Sequence, residues 1–343
     1  MKKLFVDSRG NIVIREAKEP KLEKMGILSK TKYSLISSGT ESGVLIRRRK
    51  NPKKKGDFLA LGYSNSGIVV AKHKALTEVK IGDLVACAGG GYASHSEICY
   101  VPKNLFVKCP KNLSAKEACF VAIGSIAMHG VRRCQVSFGE KVVVMGLGII
   151  GQIVAQILRI AGAEVIATDF IHQRLELAKK LGAEHVFNAQ NIRCLEEVKS
   201  LTNGFGADAV IVCANNPNSS APIKTAIEMV RDKGRIVVVG DVKLTIERGP
   251  LYAKEVDLLI SRSYGPGRYD PNYEENGQDY PVGFVRWTEN RNMEEFLRLI
   301  SVGKINVKSL ITHEYDIDDA PQAFETILNE PDKVLGVILR YNN

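Results

Sequence analysis

A chain of 343 residues, 45% hydrophobic and 25% charged, is long for one core and ordinary for two water-soluble domains. Met1-Lys2-Lys3-Leu4 leads straight into a strand-like run with no long apolar segment after it, so neither a signal peptide nor a membrane span is expected, and the cytoplasm is the expected compartment. The net charge of +10 admits an anionic small molecule, but no nucleic-acid module is present and no aromatics interleave the basic run, so no nucleic-acid or membrane partner is expected.

Residues 1 to about 110 read as short strands and turns. The strands are 11–14, 32–36, 66–72 and 83–88, punctuated by Gly62, Gly67, Gly82 and Gly89-Gly90-Gly91. This pattern predicts a small, irregular β-barrel. Within it, Arg47-Arg48-Arg49-Lys50 and Lys53-Lys54-Lys55 read either as a solvated, mobile loop or as a lid that attracts a phosphate- or carboxylate-bearing substrate. Residues 115–133 read as helical, with Ser114 as N-cap.

From Lys141 the pattern changes to alternating strands and helices. An apolar strand, 142–145, runs into Gly146-Leu147-Gly148-Ile149-Ile150-Gly151. A helix follows, apolar at Ile149, Ile150, Val154, Ile157 and Leu158, and then a strand, 164–168, ending on Asp169. Strand, glycine-rich turn, helix, strand and acid together specify a dinucleotide site. Gly146 permits the tight turn, Gly148 lets backbone approach a pyrophosphate, and Gly151 lets helix and strand pack closely. The helix N-terminus offers its first N–H groups to the phosphates. Asp169 would accept from the adenosine ribose and repel a 2′-phosphate, which favours NAD over NADP. Further strands are expected at 185–188, 209–213, 235–239 and 257–260, and helices at 173–181, 195–201 and 221–230. Six strands from Val142 suit a doubly wound parallel sheet. Arg174, Cys213 and Gly240 complete the expected cofactor set.

After Ser263 the alternation stops. Residues 264–290 are rich in Tyr, Gly, Pro and Asn without periodicity, which marks a functional or disordered segment. Tyr264, Arg268, Tyr269, Tyr273, Tyr280, Arg286 and Trp287 argue for order. A helix, 293–301, and strand-like stretches at 310–312 and 334–340 follow. The seven cysteines are odd in number, scattered and never in CxxC, which predicts reduced thiols.

The order of parts resembles the medium-chain dehydrogenase/reductase family, whose zinc-type alcohol dehydrogenases carry matching motifs. Ser37-Ser38-Gly39-Thr40-Glu41 is similar to its C-G-T-D, and Leu61-Gly62-Tyr63-Ser64-Asn65-Ser66-Gly67 to its G-H-E-x-x-G. Ile81-Gly82-Asp83-Leu84-Val85 resembles G-D-R-V, and the stretch from Arg174 to Ala183 resembles R-x-x-x-A-x-x-L-G-A. Gly303-Lys304-Ile305 and Leu310-Ile311-Thr312-His313 are similar to its closing motif. The resemblance implies an α/β chain: a GroES-like β-barrel catalytic domain plus a Rossmann doubly wound parallel sheet. The implied domains are 1–133, the first part of the catalytic domain, 134–263, the NAD-binding domain, and 264–343, the return to the catalytic domain with a substrate loop at 264–290. It also implies a homo-oligomer, dimer or tetramer. Ser38 to Glu41 and Tyr264 to Trp287 most resemble the dehydrogenase half of bi-domain oxidoreductases of bacterial sugar and polysaccharide metabolism.

The departures bear on chemistry. By this resemblance the catalytic zinc ligands fall on Ser38, Tyr63 and Ala122, with Ser64 for the Glu of G-H-E. The four-Cys structural lobe has no counterpart between Gly91 and Ser96. Zinc takes Cys, His or carboxylate ligands, so no metal is expected. The family's relay hydroxyl falls on Thr40 and its relay His on Gly43. The catalytic set is then Thr40, Tyr63 and His95. Thr40 is a proton relay or a turn residue, Tyr63 a donor to the substrate oxygen or filler of the vacated metal site, and His95 a base at the expected cleft or a structural imidazole. Glu41 is expected to pair with a nearby base. Ser38, Arg268, Tyr269, Arg286 and Trp287 form the expected surface for a polyol or anionic substrate, the alternative for the last four being an ordered surface loop. The leading expectation is zinc-independent, NAD-dependent oxidation of a secondary alcohol on a sugar, cyclitol or nucleotide-sugar, or the reverse reduction. The alternatives are a quinone or enoyl reductase and a non-catalytic NAD-binding protein.

Overall fold

The structure is a computed structural model that describes residues 1–22 and 24–342. It divides into two compact units, Met1–Ser125 with the segment returning from Pro266, and Ile126–Gly265. The first division falls inside the helix Val121–Cys134, eight residues before the 133/134 boundary expected from sequence. The reason is packing: a side chain at Gly130 would stand 2.8 Å from Val239, so this part of the helix lies on the second unit's sheet.

In the second unit, the run Lys141–Met145 is buried on both faces, with Val142, Val143 and Val144 fully enclosed. Only a central parallel strand reads as a continuous apolar run. Its five companions are Glu164–Asp169, His185–Asn188, Ala207–Val212, Val230–Val238 and Asp257–Ile260, all parallel. Counted in chain order, the six lie 3-2-1-4-5-6 across the sheet. This is the Rossmann arrangement, with its switch point between the first and fourth strands. The helix Ile149–Ile160 buries Ile149, Ile153, Val154, Ile157 and Leu158. The helix Arg248–Lys254 escapes a sequence reading because none of its seven residues is buried.

In the first unit, the long strand Gly26–Ile36 is the spine. It pairs antiparallel with Ser64–Lys72, Ile98–Pro102 and Gly336–Arg340. Leu84–Ala88, Phe106–Lys108 and Ile311–Asp316 extend that sheet, and Ile12–Glu16, Lys2–Val6 and Leu59–Ala60 form a second, three-stranded one. The expected helix at 115–133 is two helices, Ala115–Ala118 and Val121–Cys134. Ser114 caps the first through a reciprocal bond with Glu117. The break is held by Ser64, whose hydroxyl donates to Cys119 O (2.6 Å) and accepts from Ala122 N (3.1 Å).

The basic run is not a loop over its first half. A helix spans Ser38–Lys50. Its buried face is Glu41, Ser42, Leu45 and Arg48, polar at three positions of four, so hydrophobic periodicity is silent. Arg48 turns inward to Asp57 Oδ1 (2.8 Å) and to the carbonyl oxygens of Val6, Asp7 and Asp57. Among the described residues no helix is long and apolar enough to cross a membrane. All seven cysteines are free thiols.

The 264–290 segment is ordered by its own polar groups. Arg268 pairs with Glu274 (2.5 Å), Tyr280 donates to Asp270 (2.5 Å), and Tyr273 stacks on Tyr280 with centroids 5.2 Å apart. Asn104 Nδ2 donates to Tyr273 O, and Arg291 binds Asp279 and the carbonyl oxygens of Tyr280 and Val285. At its end Glu289 is fully buried, and neither carboxyl oxygen has a hydrogen-bond partner. Burial, reinforced by the neighbouring Glu274 and opposed by Arg268, pushes its carboxyl from 4.5 up to about 9. The folded chain keeps this proton to about pH 9, whereas the unfolded chain releases it near 4.5. The group's contribution to stability is therefore intact below pH 4.5 and lost as pH rises toward 9. Glu289→Gln should leave the thermal midpoint unchanged near pH 4.5 and raise stability by about 3 kcal/mol at pH 7. Parallel pH slopes for the two proteins would refute this account.

Candidate active site

The glycine-rich turn is built as its residues dictate. Gly146 has φ +89°, and a side chain there would strike Ala214 N at 2.8 Å. A Cβ at Gly151 would stand 1.9 Å from Gly146 O. A Cβ at Gly148, by contrast, meets no protein atom within 4 Å. Gly148 is also the N-cap of Ile149–Ile160, so the first N–H groups of that helix, at Ile149, Ile150 and Gly151, have no intrahelical acceptor. Open space at the one glycine that should face a ligand, beside such donors, fits a pyrophosphate.

Asp169, the expected ribose acceptor, is also engaged by the protein's own backbone. Its Oδ2 accepts from Leu147 N (2.6 Å) and its Oδ1 from Ile171 N (2.9 Å), which ties the turn to the end of the second strand. Each oxygen keeps lone-pair capacity for a further donor. Arg174 O accepts from Gln152 Nε2 (2.8 Å), joining the next helix to this one. Cys213 and Gly240 sit under the turn. Cys213 N donates to Met145 O (2.8 Å), and a side chain at Gly240 would overlap Ala214 O at 2.0 Å. Burial pushes the Cys213 thiol up to about 12, which removes it as a nucleophile.

In the other unit a second polar assembly forms around Glu41, 3% exposed. Its Oε2 accepts from Ser37 N (2.8 Å) and its Oε1 from Gly62 N (2.6 Å). His95 Nε2 lies 3.2 Å from Oε1 and 3.3 Å from Oε2. Facing a carboxylate, that nitrogen is the one that donates. Its Nδ1 meets Ser34 Oγ at 2.7 Å, and Ser34 Oγ meets Tyr341 OH at 3.0 Å. Gly62 has φ +95°, and a Cβ there would stand 2.4 Å from His95 N, so only glycine allows this approach.

Of the two expectations for His95, burial favours the structural imidazole over a base: the ring is fully enclosed, reaches no solvent and is held between Glu41 and Ser34. Tyr63 is half-buried and donates to Ser37 Oγ at 2.5 Å. Thr40, exposed on the first turn of the Ser38–Lys50 helix, hydrogen-bonds the same phenol. Burial pushes Tyr63 up to about 12, Glu41 adds to the push, and the bonds with Ser37 and Thr40 oppose it. The phenol of Tyr63 is therefore protonated at neutral pH.

Thr40 and Tyr63 are brought together with Ser37, which the sequence reading had placed only as part of a motif. Its position directly before Ser38 in a hydroxyl-rich turn was the available signal. Tyr269 lies close enough to Tyr63 to bear on its phenol electrostatically, and Arg268 stacks on the Tyr269 ring at 4.0 Å with Nη2 beside Gly90. Tyr269 has φ +66°, a conformation a tyrosine rarely adopts. Ser38 Oγ is buried without a partner. Arg286 and Trp287 stack on each other at 3.9 Å, with Arg286 exposed.

The zinc-binding dehydrogenase family profile matches residues 150–275. The chain is 27% identical to the uncharacterized zinc-type alcohol dehydrogenase-like protein YdjJ of Escherichia coli K12, over 98% of both chains. It is 27% identical to sorbitol dehydrogenase of Bacillus subtilis, over 82% of this chain and 81% of that one. Its fold superposes on alcohol dehydrogenase TADH of Thermus sp. ATN1 with a TM-score of 0.81, at 22% identity and full coverage of both. By these matches the chain resembles the zinc-type alcohol dehydrogenase-like medium-chain dehydrogenase/reductase family.

Set against the zinc of that family, the donors present do not fit. Ser38 and Ala122 offer no zinc-ligating side chain, and the phenol of Tyr63 is held protonated. Among the described residues no group of three or more His, Cys, Asp or Glu side chains is placed to hold a metal. Of the three positions expected from the motif, only Tyr63 belongs to the hydroxyl cluster, which it forms with its neighbours Ser37 and Thr40. Glu41 fixes them by holding Ser37 N and Gly62 N. Glu41→Ala should therefore cost about 3–5 kcal/mol in unfolding experiments, since it leaves a buried imidazole and two backbone donors without an acceptor. Unfolding within about 1 kcal/mol of the parent would show that the carboxylate is not the anchor.

Proposed function

We propose that this chain is a metal-independent, NAD-dependent dehydrogenase that interconverts a secondary alcohol of a sugar, cyclitol or nucleotide-sugar and its ketone. The reading includes a cytoplasmic homo-oligomer, dimer or tetramer. The observation that carries it is the Ser37–Tyr63–Thr40 hydroxyl set, held by Glu41 around the one expected ligand position, Tyr63, that still bears a polar side chain in the cluster. The similarity to a sorbitol dehydrogenase supports a polyol-like substrate.

Gly148 and the N-terminus of Ile149–Ile160 would receive the pyrophosphate, and Asp169 the adenosine ribose. A carboxylate there disfavours a 2′-phosphate. When bound, NAD accepts a hydride and its reduced form donates one. The chain's own groups handle the proton. In reduction, Tyr63 and Thr40 donate to the carbonyl oxygen as it becomes an alkoxide. A phenol near 12 stays protonated at neutral pH yet is more acidic than an alkoxide's conjugate alcohol, so this transfer is downhill. In oxidation the alcohol proton leaves the same way in reverse, with exposed Thr40 passing a proton to water. The fraction of Tyr63 able to accept grows about tenfold per pH unit below its pKa. Oxidation should therefore accelerate with pH well into the alkaline range, while reduction stays flat on that side.

The test is cofactor reduction by the purified chain with NAD and a panel of polyols, sugars and sugar phosphates, with and without chelator. Turnover is expected to be indifferent to chelator. Tyr63→Phe should lower kcat by about 10²-fold or more with an unchanged thermal midpoint. Gly148→Ala should fold normally and weaken NADH binding about tenfold or more, because its methyl group fills the cofactor's space. Chelator-sensitive turnover would sink the metal-free mechanism. Reduction of enones with NADPH and no alcohol oxidation would point to the reductase alternative, and NADH binding without turnover to a binding protein.

A further inference from the structure

The run Arg47-Arg48-Arg49 uses two of its guanidinium groups in the fold. Arg48 is buried on Asp57, and Arg49 pairs with Glu325 (2.5 Å) and Gly10 O (3.2 Å). Arg47 has neither an ion pair nor a side-chain hydrogen bond among the described residues. A helical arginine commonly pairs with an acid three or four positions earlier; here those positions are Val44 and Gly43. Its guanidinium instead lies against Gly43, with Nη1 3.2 Å and Cζ 3.9 Å from where a Cβ would stand.

That placement has a direction. Gly39, Thr40, Gly43, Ile46, Arg47 and Lys50 make the outward stripe of the Ser38–Lys50 helix, at spacings of three and four. Folding back over Gly43 carries the guanidinium one turn toward the helix start. Thr40 is a further turn along the same stripe, about 5 Å away. Lys50, Lys53, Lys54 and Lys55 are exposed behind it. A role in offsetting the helix dipole accounts for positive charge in the last turn. It does not account for a guanidinium laid over a glycine toward the hydroxyl cluster.

We infer that Arg47 is an anion subsite for the alcohol substrate: the chain takes a polyol or sugar that bears a phosphate or carboxylate, with that group on the Arg47 guanidinium while the reacting carbinol meets Thr40 and Tyr63. Arginine suits this because its planar fork matches both anions bidentately. The free lysines behind it raise the local concentration of such a substrate without contacting it. The inference rests on the dehydrogenase reading above for the identity of the reacting end.

The experiment compares sorbitol, sorbitol 6-phosphate and gluconate as substrates of the full chain at low and high salt, with the NADH dissociation constant measured in parallel. An anionic substrate should be preferred over sorbitol by about tenfold or more in kcat/KM. The preference should collapse in Arg47→Gln, recover partly in Arg47→Lys, and be unaffected by Lys224→Gln, an exposed lysine of the nucleotide unit. No anionic preference in the parent chain would overturn the inference. So would an Arg47→Gln loss that falls on NADH binding, since the guanidinium would then serve the cofactor's pyrophosphate. If none of the three turns over, calorimetric titration of sorbitol 6-phosphate and gluconate into the NADH-saturated chain decides the matter. Binding abolished by Arg47→Gln supports the subsite while the dehydrogenase reading fails, and absence of binding overturns both.

Discussion

A buried carboxylate must find donors, and the Glu41 carboxylate finds three from distant parts of the chain. Ser37 N comes from the end of the spine strand, Gly62 N from the turn before the next strand, and His95 Nε2 from beyond the Gly89–Gly91 turn. Each donor fixes the backbone beside something reactive. Ser37 carries the hydroxyl that accepts from Tyr63, and Gly62 precedes Tyr63 itself. His95 is wedged between Glu41 and Ser34 and closes the arrangement from behind. Because the interior is poorly screened, such a set is stable only when it is complete. The position of the hydroxyl cluster is therefore inherited from a carboxylate that is itself almost wholly enclosed.

The same chain shows what burial does without partners. Glu289, equally enclosed but with no donor, is driven toward its neutral form, whereas Glu41 is surrounded by donors suited to an anion. Tyr63 lies between these extremes. It has partners, yet burial and the nearby Glu41 charge still hold it protonated. Under the proposed metal-independent reading, hydroxyl groups would take the part of a metal and work differently. A metal would lower the pKa of a bound alcohol directly. A neutral phenol and threonine would instead stabilise the oxygen by donating to it.

Much of the nucleotide unit was legible in the sequence because its signals are apolar and local. A β-branched strand, three glycines at fixed spacing and a terminal acid leave little freedom, and all six strands appear within a few residues of their expected places. The other unit was less legible wherever polar groups decide the structure. The Ser38–Lys50 helix buries a glutamate, a serine and an arginine, so its period is invisible to hydrophobicity. The split at Cys119–Phe120 depends on the Ser64 hydroxyl, some 55 residues earlier in the chain. The burial of His95 follows from a glycine, Gly62, whose missing side chain lets the two segments touch. Such pairings arise from tertiary contact and leave no local trace.

The pairing of Gly336–Arg340 with Gly26–Ile36 has a consequence for biosynthesis. The spine strand emerges from the ribosome early, but the neighbour on one of its edges is made some 300 residues later, about 15–60 s at ordinary elongation rates. The nucleotide unit is contiguous in sequence and complete by Gly265, well before that partner exists. During this interval the first unit presents a strand edge to the cell, with its backbone donors and acceptors available to any passing strand. The sheet of the first unit is thus completed last, a delay set by chain connectivity and independent of how stable the finished fold is.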